Sequence, residues 1–242
     1  MLLILITMED GMDLGVESQC WKKSRKEKKM NSPDVMEKMP QITQVIEETF
    51  SVDGMLPNML KAACLDNVSI YDSVRLSYVN NSYVLLTDEL MVSITALLEN
   101  LNVKTVMELA CGSGWLTHWL RKYNKNISYR CVDDKSWEHH DDYLFEVEQG
   151  DACIFADESD HVDLFILAWP HWESGIASGI WNSLKPGQYL LYIGEGQYGC
   201  CAEDTFFHLN DGHEMEDENV ALVRKMYKAF RGVNDYPTLY LK

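Results

Sequence analysis

The sequence predicts an α/β chain: a mostly parallel sheet with helices on both faces and a short antiparallel strand at the C-terminus. Three observations carry that reading. Short apolar runs that suit buried parallel strands recur between residues 105 and 193 and alternate with segments of helical spacing. One of these runs ends in a glycine turn, Cys111-Gly112-Ser113-Gly114, that opens directly into a helix. Acidic residues and tryptophans gather just after the runs, where an open parallel sheet binds its ligands.

Residues 1–40 show no sustained period and are read as a flexible extension; 41–242 form the α/β domain, with 41–103 as a helical lead-in. Within the lead-in, Ile42, Val45, Ile46 and Phe50 make an amphipathic helix over 41–50, which Asp53-Gly54 breaks. A short helix is expected over 58–64, and 77–86 reads as extended or irregular. Thr87 is the expected N-cap of a helix whose apolar face is Leu90, Ile94, Leu97, Leu98 and Leu101. Thr105 to Leu109 is the first strand. Trp115 to Tyr123 follows as a helix, with Trp115, Leu116, Trp119 and Leu120 on one face. The second strand runs from Ile127 to Val132 and ends at Asp133-Asp134. Ser136 to Asp142 is a short helix or loop, and Tyr143 to Glu148 a third strand closed by Gly150-Asp151. Val162 to Ala168 is the most apolar strand and leads into Trp169-Pro170-His171-Trp172. A helix from Ser174 to Leu184 ends at Lys185-Pro186-Gly187. Gln188 to Ile193 is the fifth strand, ending at Gly194-Glu195-Gly196. Asp204 to Leu209 is a short helix. Asn219 to Phe230 has helical spacing, although Val220 to Val223 also fits a strand, and Thr238 to Leu241 closes the sheet. Trp115 and Trp181 are assigned to the core.

Composition narrows the function. At 242 residues the chain is long enough for one domain with a substantial core, and 46% apolar with 24% charged residues is ordinary for a soluble protein. The net charge of −17 is not ordinary. It repels polyanions, which argues against nucleic acid and anionic membranes and suits a cationic ligand. Seven irregularly spaced cysteines with no C-x-x-C pair point to reduced thiols in an intracellular, cytoplasmic setting, not to a disulfide framework or zinc site. Leu2 to Ile6 is too short to span a membrane and lacks the basic flank of a signal peptide, since Glu9 and Asp10 follow; Met8 is an alternative start. The basic run from Lys22 to Lys29 reads as a solvated tail, with a nuclear-localisation patch as the alternative. His139-His140-Asp141-Asp142 are too close in sequence to converge on one ion, so no metal is expected.

The turn at the first strand carries the chemistry. Glu108-Leu109-Ala110-Cys111-Gly112-Ser113-Gly114 resembles the first motif of the Rossmann-like (class I) S-adenosylmethionine-dependent methyltransferases. Those have an acidic residue at the end of the first strand and a G-x-G loop under the methionine part of the cofactor. Thr117 stands where a dinucleotide fingerprint has its third glycine, which argues against a nicotinamide enzyme. Asp133 lies 21 residues after Gly112, close to the ~20 expected of an acid that accepts ribose hydroxyls; Asp134 is its neighbour. The resemblance covers roughly residues 85–200. It implies S-adenosylmethionine as cofactor, held by Glu108, Ala110, Gly112, Gly114, Asp133 and Asp151, the last at the position that meets the adenine amino group. One branch of that superfamily is closer still, through Ser82-Tyr83, Trp169-Pro170, Tyr192-Ile193-Gly194-Glu195 and Gly199-Cys200. This chain departs from it with His171 in place of a second proline, and the branch implies no particular substrate.

The expectation is therefore methyl transfer to an unidentified acceptor, a small molecule or protein in preference to nucleic acid. His171 is the candidate base by location, with Glu195 second. Trp169, Pro170 and Trp172 are the candidate acceptor-side residues, with aromatic faces suited to a flat or cationic group. The alternative is a non-catalytic module that keeps the core without turnover.

Overall fold

The computed structural model describes residues 82–136, 146–230 and 233–242. The expected tail and basic run, the helices over 41–50 and 58–64, and the stretch 139–142 lie outside the described residues. The element order is α1 (Asp88–Asn100), β1 (Thr105–Leu109), α2 (Trp115–Tyr123), β2 (Ser128–Asp133), β3 (Glu148–Gln149), α3 (Ala152–Asp157), β4 (Leu164–Ala168), α4 (Ile176–Ser183), β5 (Tyr189–Glu195), α5 (Asp204–Leu209), α6 (Glu218–Met226) and β6 (Asp235–Leu241). The six strands form one sheet in the order β3-β2-β1-β4-β5-β6. All neighbouring pairs are parallel except β5 with β6, which pair antiparallel from Tyr189↔Leu241 to Glu195↔Asp235. This is the Rossmann-like α/β fold, with an antiparallel C-terminal strand.

The strands form where apolar residues run without alternation, because both faces of a parallel sheet are covered. In β4, Leu164 to Leu167 are all fully buried. One face of the sheet packs on α1, α2 and α6, where Ile166 shares a core with Ile94, Leu120 and Val223. The other packs on α3, α4 and α5 through Ala156, Ile180, Trp181 and Phe206. Thr87 caps α1, its hydroxyl oxygen accepting the Leu90 N–H at 3.2 Å. Trp115, Leu116, Trp119 and Leu120 are buried together, as their spacing predicts.

Several boundaries differ from expectation. β2 extends to Asp133, so that acid is the last strand residue and not the first of a turn. The third strand is Glu148–Gln149, so it starts later than expected, after 146–147, and runs one residue further; Tyr143 to Phe145 lie outside the described residues. Helix α3 was not anticipated: Asp151, read as a turn residue, caps it by accepting from Cys153 N–H and Ile154 N–H. The ambiguous segment near Val220 is helical, because Asp217 caps it and Val220 and Val223 pack inward on one face. β6 begins at Asp235, earlier than the expected Thr238, since its pairing with β5 runs the full length of that strand. Cys111, Cys131, Cys153 and Cys201 are free thiols. Cys200 is disulfide-bonded, which departs from the expectation of reduced thiols throughout.

Candidate active site

The strand order reverses between β1 and β4, so the crevice of the sheet opens beyond their C-terminal ends. Two of the segments singled out in the sequence follow those strands. Ala110 to Gly114 follow β1, and Trp169 to Trp172 follow β4.

The β1 turn is built by left-handed backbone. Ala110 has φ 50°, Gly112 56° and Gly114 78°. Glycine takes this region at no steric cost, whereas Ala110 is strained there. Gly114 is the N-cap of α2 and has no side chain to cap it. Glu108 supplies the missing acceptor from inside the sheet. Its Oε2 accepts the Thr117 N–H at 3.0 Å and the Thr117 hydroxyl at 2.6 Å. Glu108 is only 3% exposed, and burial pushes its carboxyl up to about 7, with the nearby Asp133 charge adding to the rise and the Thr117 bonds opposing it. Thr117 thus does more than replace a glycine: its hydroxyl holds the motif's acid in place. Sequence reasoning saw only the departure from the fingerprint.

Asp133 closes the other side of the turn. Its Oδ2 accepts the Gly112 N–H at 2.8 Å and its Oδ1 the Lys135 N–H at 2.8 Å. Asp134 points elsewhere, to the Ser136 N–H. Glu108, Thr117, the glycine loop and Asp133 therefore form one connected group. Asp151 stands apart from it, beyond β3, where one oxygen, Oδ1, accepts both capping bonds.

Across the crevice, Trp169 takes a left-handed φ of 52°. Its indole Nε1–H donates to Asp235 Oδ2 at 2.8 Å, and the Tyr227 hydroxyl donates to the same oxygen. Asp235 is buried and its carboxyl is raised above the ordinary range, chiefly by that burial. Tyr83 stacks on the Trp169 ring at 5.4 Å between centroids. Trp169 is thus anchored in the core, while His171 and Trp172 face outward. His171 Nδ1 accepts the Glu173 N–H at 3.3 Å, which leaves the neutral ring's proton on Nε2. Glu195 spans two backbone segments: Oε2 accepts the Cys200 N–H at 2.7 Å and Oε1 the Asn234 N–H at 3.3 Å. The loops after β4 and β5 are joined by a bridge between His171 and Cys201. Asp235 and Tyr227 escaped the sequence reading because no local motif marks them; they meet Trp169 only through the β5–β6 pairing.

A separate cavity of about 240 Å³, lined by residues including Tyr192, Gln197, Asn210 and Tyr236, shares no residue with the glycine loop. Among the described residues, no group of three His, Cys, Asp or Glu is arranged to hold a metal ion, and no helix is long and apolar enough to cross a membrane.

The sheet order and the turn between β1 and α2 define a Rossmann-like α/β protein. Solved structures that match it include methyltransferases. Human N-acetylserotonin methyltransferase in complex with S-adenosylmethionine is 16% identical, covering 88% of this chain and 68% of its own, with a TM-score of 0.43. Mitomycin 7-O-methyltransferase is 13% identical, covering 88% and 70%, with a TM-score of 0.41. A methyltransferase from Geobacter sulfurreducens is 12% identical, covering 80% and 96%, with a TM-score of 0.44. No family model matches the chain, and no curated protein matches it in sequence.

Proposed function

We propose that this chain binds S-adenosylmethionine at the β1 turn and transfers its methyl group to an acceptor held beyond β4 and β5. The observation that carries the reading is the connected group at the switch point. A left-handed glycine loop opens a helix, and a strand-end carboxylate, Asp133, is bonded to the loop's own backbone. These residues suit the cofactor. Gly112 and Gly114 let main chain approach a ligand closely. Each Asp133 oxygen has a second lone pair for a ribose hydroxyl beyond its backbone bond. Asp151 Oδ2 makes no capping bond and is left to accept from an adenine amino group.

When bound, S-adenosylmethionine supplies a methyl group already activated by its sulfonium. The chain's task is to hold the acceptor in line and exclude water, so positioning is the main catalytic contribution. Glu108 and Ala110 shape the loop from below. Trp169, Pro170 and Trp172 form the acceptor side. His171 is the base where the acceptor carries a proton; to receive it at Nδ1, the ring gives up the Glu173 N–H. Glu195, with both oxygens on backbone, acts as the clamp that sets these loops.

Thermal melting with S-adenosylhomocysteine tests the reading. At about 100 times Kd the gain is about 2.7 kcal/mol, a Tm rise of roughly 5–11 °C for a domain of this size. An unchanged Tm at millimolar ligand would sink it. Binding without methyl transfer to any component of a cell extract would favour the non-catalytic module.

A further inference from the structure

We infer that the cavity beside β5 and β6 binds a small, flat, uncharged ring carrying a carboxamide; this site is distinct from the β1–β4 crevice and does not rest on the methyl-transfer reading. The cavity lies between those two strands and the segment that closes α5. Tyr236, Thr238 and Tyr240 alternate along β6 and so face one side of the sheet, and Tyr192 pairs opposite Thr238 on β5. Phe207, on α5, joins them in the lining. The Tyr192 hydroxyl donates to the Glu195 carbonyl at 2.7 Å, which holds that ring in place. A volume of about 240 Å³ is room for roughly eight waters at ~30 Å³ each, which suits one substituted ring. Gly212 leaves the rim open, since a Cβ there would meet nothing within 4 Å.

Asn210 names the ligand's polar group. It lines the cavity and is only 2% exposed, yet neither its amide nitrogen nor its amide oxygen has a hydrogen-bond partner among the described residues. Its backbone is fully used: the N–H donates to Phe206 O at 3.1 Å to close α5, and the carbonyl accepts the His213 N–H at 2.9 Å. The side chain plays no part in that cap, and an unpaired buried amide works against folding. A group that presents an acceptor beside a donor satisfies both amide atoms at once, and a carboxamide does so. The amide is covered in this conformation, but its terminal torsion is soft, so it turns to such a ligand without moving the backbone.

The remaining lining excludes the charged relatives of that group. Among the described residues, no Lys or Arg lines the cavity. The nearby Arg224 is committed to Glu214, Glu216 and the Pro237 carbonyl. A carboxylate brings acceptors alone, so it leaves the Asn210 oxygen unpaired, and it meets Asp211 at the rim. An amide without a ring pairs with Asn210 but leaves the aromatic walls uncovered.

The test uses the full chain and three probes: benzamide, benzoate and acetamide. Calorimetric titration should show benzamide binding at least about tenfold tighter than either of the others, since one lacks the donor and the other the ring. Asn210→Leu, close in size, should weaken benzamide about tenfold or more. It should also melt no lower than the wild type in the absence of probe, because it removes an unpaired buried amide. Tyr236→Val, at a ring 46% exposed and on a strand that favours valine, should weaken benzamide about threefold or more. No benzamide binding at about 10 mM, equal binding of benzoate or acetamide, or unchanged binding in either variant overturns the inference. So does a clearly lower melting temperature for Asn210→Leu, which would show that the amide is already paired in the folded chain.

Discussion

Replacing Glu108 with Gln tests the reasoning about the β1 turn most directly. The Glu108 carboxyl is raised from the ordinary 4.5 to about 7, with burial the largest cause. The folded chain therefore keeps this proton up to about pH 7, while the unfolded chain releases it near 4.5. Folding takes up a proton between those values. The stabilisation this carries is fully present below pH 4.5 and is lost as pH rises through 7. At about 1.4 kcal/mol per pH unit, the whole shift corresponds to about 3 kcal/mol. Gln does not titrate, and with its amide oxygen in the place of Oε2 it still accepts both the Thr117 N–H and the Thr117 hydroxyl.

The assay is urea unfolding of both proteins from about pH 5.5 to 8, which stays above the pI of about 4.7. Across that range the wild type should lose about 2 kcal/mol relative to Glu108→Gln. At the alkaline end, where the wild type must ionise a buried carboxylate, Gln should be the more stable. A difference that stays flat within about 0.5 kcal/mol would show that Glu108 ionises as an exposed acid does, and the account of its burial would be wrong.

Three further outcomes follow from the site. Asp133→Ala should weaken S-adenosylhomocysteine binding by about 1.5–3 kcal/mol, the worth of a bond to a charged group; a larger effect from Asp134→Ala would move the ribose contact by one residue. Asp235→Ala strands the Trp169 indole N–H and the Tyr227 hydroxyl in the core and should lower unfolding free energy by about 2–4 kcal/mol. Asp235→Asn, whose amide oxygen still accepts both, should lose much less in the same denaturation experiment. His171→Ala should cut methyl transfer by about 10²–10⁴-fold where the residue takes a proton, with S-adenosylhomocysteine affinity intact; matched losses of both would place that turn in the cofactor pocket.

What the sequence could reveal follows the range of the interactions involved. Thr87 caps its helix through the N–H of a residue three positions on, and the buried runs of β1, β4 and β5 announce themselves by composition, so the sheet was legible. The glycine turn was legible for the same reason, because its conformation is written in Gly112 and Gly114. Acids were harder, since a carboxylate's role depends on which donors reach it. Asp133 and Asp134 are adjacent and chemically identical, yet only Asp133 turns to the Gly112 N–H. Glu195 reads in sequence as a second candidate base, a substrate anchor or a turn cap, and it is the Cys200 and Asn234 backbone N–H groups on its two oxygens that make it a cap. Asp235 is the extreme case. It meets Trp169 across 66 residues of chain, brought there by the antiparallel return of β6 beside β5. The order of strands therefore locates the crevice, but the region beyond β4 is shaped by contacts between distant parts of the chain. That is why the glycine loop could be read from a short motif, while the anchor of Trp169 emerges only once the last strand is in place.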